Sequence, residues 1–261
     1  MNPVPLFLII VSLPLLLGGC GEKHEGVNAK ELEGRDGIAY LKGSDAPYTG
    51  KYLFFHDNGQ KHEEGNFKDG KKDGLVAEWY ENGNKECEQY YKDGKVDGLL
   101  VAWHETGQRM IEMKFKDGKA NGLYVEWFKN GQKMIEKNYK DGKHEGLWEE
   151  WFENGQKGVE ENYKEGKLNG LLVAWFENGQ KMSEENYKDG IEEGPSVTWY
   201  KNAQKRTEGN YKDGKPDGLR RGWHENGQKK EEGNYKDGEL ISAKFWNNQG
   251  EPVSYKEVNK E

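Results

Sequence analysis

The sequence predicts an all-β protein: an elongated antiparallel β-meander, a single curved layer built from 24-residue two-stranded hairpins. Three observations predict it. Glycine returns every 24 residues, at Gly50, Gly74, Gly98, Gly122, Gly146, Gly170, Gly194 and Gly218. Each interval carries two turn dipeptides about ten residues apart, in most units Asn-Gly near its middle and Asp-Gly near its end; between strand-forming runs these are hairpin signals. No gap between them holds a helical period. Self-similarity at this length marks a stacked array rather than separate domains.

Composition agrees. A third of the 261 residues are charged, yet nine Trp, fourteen Tyr and nine Phe are foreign to a disordered chain. Thirty-six Gly against seven Pro, regularly placed, read as turns. The net charge is −8 and no basic tract is present, which excludes bare nucleic acid as a partner. The acidic balance favours a basic partner, although alternating acids and bases also serve solubility.

In chain order, residues 1–19 read as a secretory signal: the apolar run from Val4 to Leu17 is too short to span a bilayer. Leu17-Gly18-Gly19-Cys20 resembles the bacterial lipobox, although no Lys or Arg precedes the apolar run. That resemblance implies cleavage before Cys20 and lipid on its thiol, which anchors the chain to a membrane facing the periplasm or exterior. An ordinary signal peptide is the other reading. Residues 20–36 are a tether and 37–49 an N-terminal cap, carrying Gly37-Ile38-Ala39-Tyr40 and Pro47-Tyr48-Thr49. The eight repeats fill 50–241. Residues 242–261 form a C-terminal half repeat whose Phe245-Trp246-Asn247-Asn248-Gln249-Gly250 is one residue short of register.

With each repeat glycine counted as position 0, position 5 is Phe55 and then Trp79, Trp103, Trp127, Trp151, Trp175, Trp199 and Trp223. Position 17 is Phe67, Tyr91, Phe115, Tyr139, Tyr163, Tyr187, Tyr211 and Tyr235. A three-residue loop at positions 7–9, ending in a left-handed glycine, pairs position 5 with 11 and position 3 with 13. Strict alternation then gathers the Trp and the Tyr/Phe columns on one apolar face, the structural core. Cys87, where other units carry Ile111, Ile135 and Val159, reads as a small apolar residue of that face.

The opposite face is then the candidate binding face: Tyr124, Phe128, Trp148, Phe152 and Phe176, with position-14 carboxylates Glu112, Glu136 and Glu160. Aromatics mixed with carboxylates suit protein or glycan contact; mutual support of neighbouring strands is the plainer role for the carboxylates. Catalytic readings fail on spacing. The position-14 Glu columns recur two strands apart, roughly 10 Å, too far for an acid/base pair. Gly65–Lys72 lacks the Ser/Thr and helix of a phosphate loop. His56, His104 and His224 lie at least two units apart and cannot share a zinc ion. Asp93 and Asp97 flank a turn and are explained by it rather than by Ca²⁺. No cofactor, metal or enzymatic activity is expected.

The run G-L-x-x-x-W-[FYH]-x-N-G-Q-K-x-x-E-x-x-Y-K-D-G-K resembles the MORN-repeat variant of bacterial proteins described as YwqK-type antitoxin-like, over about 50–241. The resemblance implies an elongated β-repeat scaffold, non-enzymatic, with a binding role. The expected function is a lipid-anchored scaffold at the bacterial cell envelope that presents an extended β surface to a protein or glycan. An antitoxin-like protein that masks a toxin is the alternative the family's description suggests.

Overall fold

The structure is a computed structural model that describes residues 26–255; the signal segment and Cys20 lie outside them. One open sheet runs as a meander from Gly50–Phe55 to Pro252–Val253. It holds 22 strands rather than sixteen. Three units have a first strand split at Asp73, Asn169 or Asp217, and short pieces join at both ends.

Both turns follow from their residues. At the first, the position-9 glycine N–H donates to the position-6 carbonyl, as Gly107 does to His104 at 2.7 Å. His104 N–H in turn donates to Gln108 O, so three residues lie outside the ladder. The loop asparagine works twice: Asn82 Oδ1 accepts from Asn84 N–H at 2.8 Å, and its Nδ2 donates to Glu105 O of the next unit at 3.1 Å. Thr106 occupies that place in its own unit and makes neither bond. Thr106→Asn should stabilise the array by about 1 kcal/mol by engaging Gln108 N–H and Lys129 O, read as a raised urea midpoint. The second turn has two residues, both left-handed, such as Asp93 at φ 50° and Gly94 at φ 79°; this is the twist-matched hairpin turn that Asp-Gly favours. The Gly94 N–H donates at 2.9 Å to Lys72 O of the preceding unit, which ties each turn to its neighbour.

The strand register corrects the expected core. Trp103 pairs with Arg109, as the three-residue loop requires, but the next pair is Ala102 with Ile111 and then Val101 with Glu112. One residue at position 12, here Met110, is bulged out. The same shift recurs in every unit, for example between Glu126 and Trp127 and between Gly222 and Trp223. A bulge adds one residue to one strand and inverts the phase of alternation beyond it. Position 3 therefore faces position 14, not 13, and Gly98 faces Phe115. The Trp column and the Tyr/Phe column, expected on one face, lie on opposite faces.

Each face has its own thin core. On the Trp face, Leu53, Ala77, Val101, Val125 and Val173 at position 3 are buried, whereas the position-1 leucines, such as Leu123 and Leu147, are exposed. On the Tyr face, Tyr52, Val76, Ala174, Ser183 and Ser196 are buried. Cys87 faces Ala102 there, and burial followed by the charges of Glu78, Glu86 and Glu88 pushes its thiol up to about 11.

The ends differ from the units. Within the 20–36 stretch, Val27–Asn28 adds in parallel to Tyr52 and Leu53, and Leu32–Arg35 forms a hairpin with Ile38–Leu41. The N-terminal cap therefore starts before residue 37. It docks through Ala39 N–H to Gly70 O and Gly70 N–H to Tyr48 O, both 2.8 Å. At the other end the missing residue is absorbed where Asn234 pairs with Ser242 and Tyr235 with Leu240. Pro252–Val253 closes the final hairpin, and a proline there blunts the edge.

Candidate binding face

The two faces use their charges differently. On the Trp face every unit repeats one motif. The position-11 cation pairs with the position-14 carboxylate three residues on: Lys85 with Glu88, Arg109 with Glu112, Lys133 with Glu136, Lys157 with Glu160. A regular strand sends residues three apart to opposite faces; the bulge between them brings this pair together. In most units the same Lys also lies over the next unit's Trp. Lys61 is 4.8 Å from the Trp79 ring, Lys133 5.2 Å from Trp151 and Lys229 5.2 Å from Trp246. Single exposed contacts of these kinds contribute only about 0.3–1 kcal/mol each, but each Lys–Trp contact joins one unit to the next. Where position 3 is charged, it enters the same ladder: Glu149 binds Lys157 at 2.6 Å, and Arg221 bridges Glu208 and Glu232 at 3.0 and 3.3 Å. Lys205 first, then Arg221, hold Glu208 below the usual carboxylate range. Every position-14 carboxylate of this face is thus ion-paired.

The other face is not. Tyr124 and Trp148 at position 2 share it with Tyr139 and Tyr163 at position 17. His144 packs edge-to-face among them, its ring centroid 4.6 Å from Tyr139, 4.8 Å from Trp148 and 5.2 Å from Tyr163. Its Nε2 lies 2.9 Å from the Tyr139 hydroxyl. Burial, then the Lys137 charge, holds the His144 imidazole below its ordinary pKa. Lys137 Nζ sits 4.2 Å from the Trp148 ring, 4.7 Å from Tyr124 and 5.7 Å from Tyr139. Around this cluster, Tyr124 donates to Glu126 at 2.7 Å, Trp148 Nε1 to Glu150 at 3.0 Å, Tyr163 to Glu161 at 2.7 Å and Tyr187 to Glu185 at 2.8 Å. Burial, and then the carboxylates they bind, push the Tyr124, Tyr163 and Tyr187 phenols up.

The eight residues expected to share one binding face are therefore divided. Tyr124, Trp148, Phe128, Phe152 and Phe176 lie on the Tyr face, the three Phe at its loop end. Phe152 packs beside the bulged Gly158, and Phe176 lies 5.9 Å from Lys201 Nζ. Glu112, Glu136 and Glu160 belong to the Trp face and are ion-paired there. Lys137, Tyr139, His144, Tyr163 and the carboxylates Glu126, Glu150 and Glu161 take their place. The K-x-x-E spacing present in most units carried the signal for this rearrangement, because opposite charges three apart in a strand meet only across a bulge.

At position 6 the polar side chains link units at the loop end. Tyr80 donates to Trp103 O and Tyr200 to Trp223 O, both at 2.8 Å, and the His56 ring lies 2.7 Å from Trp79 O. His104 Nε2 is buried without such a partner. The turn aspartates tie units together at the opposite end of the hairpins, where Asp97 accepts from Asp117 N–H of the next unit at 3.1 Å.

Residues 48–69, 72–93, 120–141, 145–165, 168–189 and 216–237 match the family model described as MORN repeat variant. The two units outside these matches are those whose Asn-Gly is altered, to Thr106-Gly107 and Asn202-Ala203, yet they form the same hairpins. Among curated proteins there is no match to the chain.

Proposed function

The chain belongs to the MORN repeat-variant family, a family of generally non-enzymatic repeat scaffolds, and from this we propose that it is a binding scaffold of the bacterial cell envelope. Lipid on Cys20 holds it to a membrane, and its Tyr face engages a protein or glycan partner. The observation that carries this reading is the asymmetry of the faces. The Trp face pairs its position-14 carboxylate in every unit, whereas the Tyr face of units 122–193 presents Tyr124, Tyr139, Trp148 and Tyr163 beside carboxylates without paired cations. Half-exposed aromatics with polar neighbours are the composition of recognition surfaces.

Crosslinking of the full-length protein in its native envelope tests the reading. Tyr124→Ala with Trp148→Ala should abolish the crosslinked species, and Leu123→Ala with Leu147→Ala, on the opposite face, should leave it unchanged. Loss in both pairs, or in neither, refutes the assignment. Cys20→Ser should shift the protein from the membrane to the soluble fraction.

A further inference from the structure

We propose that the Tyr face between Tyr124 and Glu192 takes a Lys- or Arg-rich segment of a partner protein. The inference rests on the reading of this face as the binding surface and specifies the partner's chemistry.

The first argument is an internal cation. Lys137 already places its ammonium between Trp148 and Tyr124, with Tyr139 at the rim, at 4.2, 4.7 and 5.7 Å. This is the environment in which aromatic faces hold alkylammonium groups, so the sheet is shaped to seat one. The position that Lys137 occupies in its unit is filled by Glu161 and Glu185 in the next two. There the charge reverses while Trp148, Tyr163 and Tyr187 maintain the aromatic wall.

The second argument is the state of the carboxylates. Glu126, Glu150, Glu161 and Glu185 are half-buried and receive hydrogen bonds from neutral donors: two tyrosines beside them in their own strands, Tyr124, and the Trp148 indole. Among the described residues none of the four forms an ion pair, whereas all eight position-14 carboxylates of the other face do. Glu192 joins them; burial pushes its carboxyl up against a hydrogen bond from Ser196, with the Glu185 charge adding to the rise. Apart from Lys201 and Arg206 at the loop end, over Phe176 and Tyr200, the five carboxylates thus face only Lys137 and His144, until Arg220 ends the stretch. Charge complementarity selects a cationic occupant, and the aromatic wall selects one with alkyl or guanidinium stems rather than a bare ion.

Spacing narrows the form. Equivalent residues of successive units lie two strands apart, roughly 10 Å. A polyproline-II segment with a cation at every third residue repeats on one side at about 9 Å. A fluorescent Arg-Pro-Pro repeat peptide is therefore the probe, with a Glu-Pro-Pro repeat as its control, titrated against the full-length protein in neutral detergent and followed by anisotropy. The Arg peptide should bind and the Glu peptide should not. Glu150→Gln, Glu161→Gln and Glu185→Gln together keep every acceptor and should weaken binding at least about tenfold. The matched triple Glu112→Gln, Glu136→Gln and Glu160→Gln on the Trp face should change it less than about twofold. Lys137→Met, which keeps the packed stem and removes the internal competitor, should tighten it. Equal weakening by the two triples, or no preference for the Arg peptide, overturns the proposal. In the envelope crosslinking experiment, loss with the Tyr124/Trp148 variant but not with the glutamine triple leaves the binding face standing and removes the basic partner. No loss with either removes the face itself.

Discussion

Val125→Asp should lower stability by about 3 kcal/mol or more, while Leu123→Asp, two residues earlier on the same face, should cost less than about 1 kcal/mol. Val125 is 5% exposed and Leu123 37%. Val125 pairs laterally with Glu112 and Glu136, so an aspartate there loses buried apolar contact and meets two carboxylates. The same site should accept Val125→Arg far better, at a cost below about 1.5 kcal/mol. The molecule already contains this arrangement at Arg221, held between Glu208 and Glu232. Glu149, at the equivalent place in its unit, survives by reaching Lys157; an aspartate is one methylene shorter. Urea midpoints rank the three variants. Because each unit touches only its neighbours, hydrogen exchange should localise the Asp damage to Lys119–Trp127 and the strands beside it. A Val125→Arg variant as unstable as Val125→Asp would mean that the position-3 column is not flanked by carboxylates and that the bulged register is wrong.

Gly98→Ala carries the second large effect, about 2–4 kcal/mol. Gly98 lies where Gln89 pairs with Leu100 but Tyr91 with Val96, so extra residues must be taken up in the strand. Its φ is 130°, and an added Cβ lies 2.8 Å from Tyr90 Cβ. Backbone strain and a clash close to the main chain act together. Gly146 has the same role at φ 82° with open space around it, so Gly146→Ala should cost only the left-handed penalty, about 1 kcal/mol. Thermal unfolding of the two variants separates space from strain; equal effects would show that the conformational term alone keeps glycine at position 0.

Much of this architecture is legible in the chain. The repeat length, the three-residue loop ending in glycine, the Asp-Gly hairpin turn and the shortened last unit follow from residues whose backbone demands are local. Asn and Gly at loop positions announce left-handed geometry, and a 24-residue period brings each turn beside the next. The candidate face is legible only in part. Alternation puts Tyr124, Trp148 and the three Phe on the correct side of the sheet because they precede the bulge; it misplaces Glu112, Glu136 and Glu160 because they follow it. The residues at position 12 are His62, Glu86, Met110, Met134, Gly158, Met182, Arg206 and Lys230. A bulge of this kind needs one residue near the right-handed helical region, which nearly every side chain tolerates, so no residue type marks it.

The sequence by itself determined a repeated two-stranded unit, its turns and its family. Only the tertiary structure decided which side chains meet. One bulged residue per unit reverses the alternation for half of each hairpin, and that reversal assigns Trp, Lys and Glu to one face, where every position-14 carboxylate finds a cation. It leaves Tyr, Trp148 and unpaired carboxylates together on the other. The physical reason is that strand propensity and turn chemistry act over a few residues, whereas the phase of a strand is set by hydrogen bonds to its neighbours.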